Sequence, residues 1–145
     1  LKLCPFAWTL RYFAKEVRAY NTLRDRGCFI IPTIHAFVFE RSEEQVIGFI
    51  CDGFEGLYPE LDDYEACKRG LQQFHSYGIV HGDVNKFNFI VTAEGIRLFD
   101  LETSTLDIDE GVSEQDFKRL QEEELEILKE KLCDPEEWGK PWEPF

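Results

Sequence analysis

The sequence predicts a single α+β domain spanning residues 1–145, on three observations. Apolar stripes with helical spacing occur over residues 13–23, 64–77 and 113–132. Between them lie two pairs of strand-like runs, each folded about a short polar loop. Apolar residues make up 43% of the chain and aromatics 14%, enough for one packed core and far from the composition of a disordered chain.

Residues 1–3 read as the end of a strand, broken by Pro5. The first helix places Phe13, Val17 and Tyr20 on one stripe, with Thr9 as N-cap and an end near Gly27. Glu16 falls beside that stripe, where a lone carboxylate is costly unless it finds a partner. Ile34 to Phe39 and Val46 to Cys51 are the first strand pair, joined by a polar loop over residues 41–45. Asp52 to Gly56 is a linker, since its two glycines interrupt any regular element. The second helix carries Cys67, Leu71 and Phe74 on its stripe, with Gly78 as stop signal. Phe89 to Val91 and Ile96 to Phe99 form a second hairpin around residues 92–95. The third helix starts at Ser113, with Asp116 at the N3 position. The tail from Asp134, rich in Pro and Trp, is expected to be irregular and to pack its rings on the body. The 13 Phe residues suggest a core built from flat rings.

The net charge of −13 argues against a nucleic-acid partner, which calls for basic patches. From Asp107 to Glu137 there are 13 acidic and 4 basic residues. That run is either a solvated helix face or a docking surface for a basic protein partner. No apolar run reaches the ~20 residues of a membrane span, so no membrane partner is expected. No secretion leader is visible, and the five widely spaced cysteines resemble neither a zinc site nor a disulfide framework. Reduced thiols suit a cytoplasmic protein, or a nuclear one. The chain contains no Met and opens on Leu1, which reads as a piece of a longer protein.

The chemistry concentrates in His81-Gly82-Asp83-Val84-Asn85-Lys86-Phe87-Asn88 and, twelve residues on, Asp100. A hairpin turn centred on Glu94 would set Asn88 across from Asp100, their Cβ atoms ~5 Å apart. A slip of one residue would turn one of them to the opposite face. An amide oxygen beside a carboxylate suits a hard cation such as Mg²⁺, which fills its remaining sites with phosphate oxygen and water. Asp83, in the loop before this ribbon, would be free to accept a proton from a hydroxyl. Metal plus base, with no Ser-His or thiol nucleophile, indicates phosphoryl transfer. His81 reads as a brace for the loop, and His35 and His75 as surface or core-edge residues. Lys86 either approaches the transferred phosphate or is simply solvated.

These residues resemble the catalytic loop of the protein-kinase-like fold, H-x-D-x-x-x-x-N. Gly82 in second place, and Asp100-Leu101-Glu102 where protein kinases have Asp-Phe-Gly, resemble aminoglycoside phosphotransferases, other small-molecule kinases and fungal kinase-like proteins. The resemblance implies ATP and Mg²⁺ as cofactors, Asp83 as catalytic base, and Asn88 and Asp100 as metal ligands. It further implies that Lys2 grips the nucleotide phosphates and pairs with Glu16, though Lys2 is also readable as a solvated terminal lysine. Cys51 and Asp52 would lie at the hinge that contacts adenine. The implied layout is a partial N-lobe over residues 1–51, a hinge over 52–56, a reduced helical C-lobe over 57–132 and a tail over 133–145. A glycine-rich phosphate loop is absent, and 45 residues remain after Asp100, with no A-P-E-like element. The expected acceptor is therefore a small hydroxyl-bearing molecule rather than a peptide. The alternative is a pseudokinase or binding module acting through the acidic helix.

Overall fold

The computed structural model describes residues 1–3, 10–42, 45–136 and 138–141. Thr9, Pro5, Glu43, Glu44 and Trp142 lie outside these residues, so the expected cap, strand break and parts of the loop and tail fall there too.

Among the described residues the architecture is α+β: three α-helices and three small antiparallel sheets. Strand β1 (Lys2–Leu3) lies at the edge of a sheet ordered β1-β3-β2, where β2 is Ile34–Phe39 and β3 is Val46–Cys51. The register sets Lys2 opposite Phe49 on the central strand, so the two side chains share a face. Phe49 is 1% exposed and stacks on Phe13 (5.6 Å) and Tyr20 (5.9 Å) of helix α1 (Leu10–Asp25). That face of the sheet therefore looks onto α1.

Helix α1 runs longer than its apolar pattern suggests, and its buried face is Phe13, Glu16, Ala19, Tyr20 and Leu23. Glu16 sits within the buried stripe rather than beside it, and Val17 is at the margin. The helix ends as expected: Gly27 takes φ 74° and Cys28 N donates to Leu23 O (2.9 Å).

After the irregular Asp52–Gly56 stretch comes helix α2 (Tyr64–Ser76), with Cys67, Leu71 and Phe74 all fully buried. Strand β4 (Ile79–Val80) pairs with β7 (Thr105–Leu106), and β5 (Phe89–Thr92) with β6 (Gly95–Leu98). Helix α3 (Glu114–Leu132) is capped by Ser113, whose hydroxyl accepts from Asp116 N (3.0 Å).

Four expectations need correction. The β5–β6 turn is centred between Ala93 and Glu94, with Thr92 and Gly95 paired in the ladder, and not on Glu94. The register is therefore one residue short of the expected one: Phe99, not Asp100, follows on across from Asn88, donating its N–H to Asn88 O (3.3 Å). His75 is buried, not at the surface. Trp138 is 70% exposed instead of packed on the body. The core is only partly aromatic: Phe13, Phe49, Phe74 and Phe89 are buried among Leu23, Leu71 and other aliphatics, while Phe29, Phe37 and Phe39 are exposed.

Cys28, Cys51, Cys67 and Cys133 are free thiols. Among the described residues no helix is long and apolar enough to cross a membrane.

Candidate active site

Lys2 reaches the site from the sheet edge, directed by its pairing with Phe49. Its Nζ lies 3.0 Å from Glu16 Oε1, 2.9 Å from Glu16 Oε2, 2.6 Å from Asp100 Oδ1 and 3.5 Å from Glu102 Oε2. Three carboxylates therefore surround one ammonium. This contact gives Glu16, 1% exposed, the partner that a buried charge requires. Oε1 takes the hydrogen bond, and also accepts from Leu101 N (3.3 Å). Oε2 is within ion-pair distance of Lys2 yet receives no hydrogen bond. Burial pushes the Glu16 carboxyl up to about 7, against the opposing pull of Lys2. Burial also works against the Lys2 charge, but Glu16 and Asp100 outweigh it and raise Lys2 above its ordinary value.

Asp100 ends the β6 run with φ 62°, in the left-handed region that Asp tolerates better than most side chains. Its N–H donates to the Tyr20 hydroxyl (3.1 Å). A cavity of about 310 Å³ opens beside these groups, lined by Lys2, Glu16, Cys51, Asp52, Phe54 and Asp100 among others. That is the lower end of the range of small-molecule sites. Asp52 is anchored at its rim: it accepts from Thr33 N (2.9 Å) and contacts His35 Nε2 (2.5 Å). The His35 contact leads the effects that hold its carboxyl below the usual range.

The second cluster is the loop after β4. Asp83 is exposed, and its Oδ2 accepts from Asn85 Nδ2 (3.1 Å) and Asn88 Nδ2 (3.2 Å). Asn88 Nδ2 also donates to the Asp83 carbonyl (2.8 Å). Asn88 thus spends its amide hydrogens on Asp83, and among the described residues no donor reaches its Oδ1. His81, fully buried, braces the loop as expected: its Nδ1 accepts from Asp83 N (3.4 Å), so Nε2 carries the hydrogen given to Phe99 O (3.0 Å). His81 thereby links the Asp83 loop to the residue before Asp100. Gly82 has φ 81°, and a Cβ there would collide with the Thr103 carbonyl, so the loop packs on the segment after Asp100 only without a side chain.

Five of the seven residues singled out in the sequence line the cavity: Lys2, Glu16, Cys51, Asp52 and Asp100. Asp83 and Asn88 are joined to each other in the neighbouring loop. Lys86 pairs with Glu60 (2.8 Å).

Two contributors escaped the sequence reading. Glu102 supplies the third carboxylate at Lys2. Glu124, on the acidic helix, is buried: it accepts from His75 Nε2 (2.8 Å), His81 N (3.1 Å) and Gly82 N (2.6 Å). Periodicity held the clue to Glu124 and its partner: His75 stands four residues after Leu71, and Glu124 seven after Phe117 and four before Leu128, all on buried helix faces.

The family model of lipopolysaccharide kinases (Kdo/WaaP) matches residues 62–145. The chain belongs to this family. Lipopolysaccharide kinases are members of the protein-kinase-like superfamily, and the likeness to aminoglycoside phosphotransferases remains one of the loop motif. No curated protein matches the chain. The lipopolysaccharide kinase match takes in Asp83, Asn88, Asp100 and Glu124, whereas Lys2, Glu16, Cys51 and Asp52 precede it and join the site through the fold.

Asp100, Glu102 and Glu16 offer carboxylate oxygens within 4.8 Å of one another. All-oxygen donors of this kind fit a hard divalent cation.

Proposed function

We propose that the chain is a phosphotransferase that moves the γ-phosphate of ATP to a hydroxyl of a small acceptor. The observation that carries this reading is the buried Glu16 held against Lys2 and Asp100 at a cavity, beside a loop that presents Asp83. The family description names lipopolysaccharide kinases, so we infer a sugar-type hydroxyl as acceptor. In this reading residues 1–51 are a partial N-lobe, 52–56 a hinge and 57–132 a reduced C-lobe.

Asp83 accepts the proton of the acceptor hydroxyl as its oxygen bonds to phosphorus and the bond to the ADP oxygen breaks. The two asparagine amides hold one carboxylate oxygen of Asp83, leaving the other for the hydroxyl. Lys2 binds phosphate oxygens, and Glu16 keeps the ammonium in place. Cys51 and Asp52 border the adenine end of the cavity. Asp100 and Asn88 would hold Mg²⁺, which supplies charge neutralisation on the phosphates. Lys2 would give up its bond to Asp100 in the process.

The test is thermal shift and calorimetry with ATP and Mg²⁺, on the wild-type chain and on Asp100→Ala. The reading expects stabilisation of the wild type and little or none of the variant. No nucleotide effect on the wild type would overturn it. Turnover that survives Asp83→Asn would remove Asp83 as the base.

A further inference from the structure

Helix α1 is tied repeatedly to residues 100–109. In its middle, Glu16 and Tyr20 accept the N–H groups of Leu101 and Asp100. Lys15 donates to Thr103 O (3.3 Å), and Arg18 pairs with Asp109. Just past its end, Arg26 donates through Nη1 to Tyr77 O (2.6 Å) and Gly78 O (3.2 Å), and through Nη2 to Asp107 Oδ1 (2.7 Å).

An ordinary surface ion pair contributes little. Arg26 differs in two respects. It caps two backbone carbonyls as well as a carboxylate, the planar fork meeting three acceptors at once. It also fills a niche that only glycine leaves open: a Cβ at Gly78 would collide with both the Arg26 guanidinium and the Asp107 carboxylate. Asp107 N in turn donates to Gly78 O (3.0 Å), so the three residues close on one another.

The middle of α1 and its end face different demands. At Glu16, nucleotide binding must exchange partners, since Lys2 and Asp100 hold each other. Arg26 lies ten residues on, about 15 Å at the rise of a helix, and is not among the residues that line the cavity at Lys2 and Asp100.

We propose, resting on the phosphotransfer reading, that Arg26 is a positioning residue: locked to residues 77–78 and Asp107, it holds α1 so that Glu16 keeps its place while Lys2 and Asp100 take up their ligands.

The test combines amide hydrogen exchange with steady-state kinetics on Arg26→Ala, Arg26→Lys and, as control, Arg24→Ala. Arg24 is an exposed cation at the same helix end that pairs with its neighbour Asp25. Exchange at Asp100 and Leu101 reports the α1 contact, and exchange at Val91, which donates to Leu57 O, reports global stability. In Arg26→Ala, Asp100 and Leu101 should exchange about tenfold faster with Val91 unchanged. The kcat should fall about tenfold while the KM for MgATP stays within about twofold. Lysine should restore part of both, and Arg24→Ala should change neither. If Arg26→Ala does not fold, the milder Asp107→Asn should give the same pattern. Unchanged exchange at Asp100 and Leu101, or exchange that rises in step with Val91, overturns the role. A wild-type chain that binds no MgATP overturns the phosphotransfer reading and this role with it. Normal MgATP turnover with unchanged exchange overturns the Arg26 role alone.

Discussion

Glu16 is a carboxylate in the middle of an apolar stripe, and its protonation should be visible in the stability of the whole chain. Its folded value of about 7 stands above its ordinary 4.5. Between those values the folded protein holds a proton that the unfolded chain has released. The stabilising contribution is thus complete below about 4.5 and is lost as pH rises through about 7. Relative to Glu16→Gln, the wild type should lose on the order of 1 kcal/mol per pH unit across this window, measured by urea unfolding at stepped pH. Asp83 behaves differently, being exposed, with a carboxylate that among the described residues is bonded to Asn85 and Asn88. Asp83→Asn should leave the unfolding midpoint nearly unchanged and lower phosphotransfer by about 10²–10⁴-fold, as loss of a general base does. The pairing of Glu16 was legible as a need, because a buried carboxylate must find a cation. The cation that answers it, Lys2, was named by the kinase-like resemblance and stands 2.9 Å away, whereas the strand register that delivers it could not be read from so short a run.

At the scale of elements, α3 shows what an acidic helix can conceal. Most of its charges are exposed, and those of its first half pair with one another, as Lys118 does with Glu114 and Arg119 with Asp116 and Glu123. Glu124 turns inward and satisfies two backbone donors of the His81–Gly82 loop and the His75 ring. Glu124→Ala would leave those three donors unpaired, and should cost about 3–5 kcal/mol of unfolding free energy in urea titration. Glu124→Gln, which keeps an acceptor, should cost less. Strand and helix positions were readable because the period of apolar residues reports them: β2 and β3 lie where the strand-like runs lie, and α2 differs by one residue. The β5–β6 register was misjudged because the turn was centred on Glu94, while its midpoint falls half a residue earlier, between Ala93 and Glu94, and nothing in a four-residue polar loop marks that difference. The contact of Glu124 with Gly82 spans 42 positions, and no local pattern encodes a pairing over that separation.

For the whole molecule, like charges crowd together at the site. A net charge of −13 and three carboxylates about one lysine make the cavity a place where added positive charge is welcome and bare phosphate is not. ATP without Mg²⁺ should therefore bind far more weakly than MgATP, as calorimetry with and without a chelator would record. With MgATP at one hundred times its dissociation constant, unfolding free energy should rise by about 2.7 kcal/mol, and the gain should be largely lost in Asp100→Ala. The fold class was visible from the sequence at this scale, because α+β follows from element order alone. The joining of residues 1–51 to the rest through α1 was not, since it depends on Arg18 and Arg26 meeting Asp109 and Asp107 across 91 and 81 positions.

The left-handed backbone of Asp100 narrows the chemistry open to that position. An acid is wanted there, and glutamate is also an acid, but its longer chain sits less readily on such a backbone than the short, self-solvating arm of aspartate. The neutral residues at ease in that conformation are asparagine and glycine. A lineage that abandoned phosphate chemistry would therefore be expected to keep the bend and exchange Asp100 for one of those two, so the identity of this one side chain is a marker of whether catalysis persists.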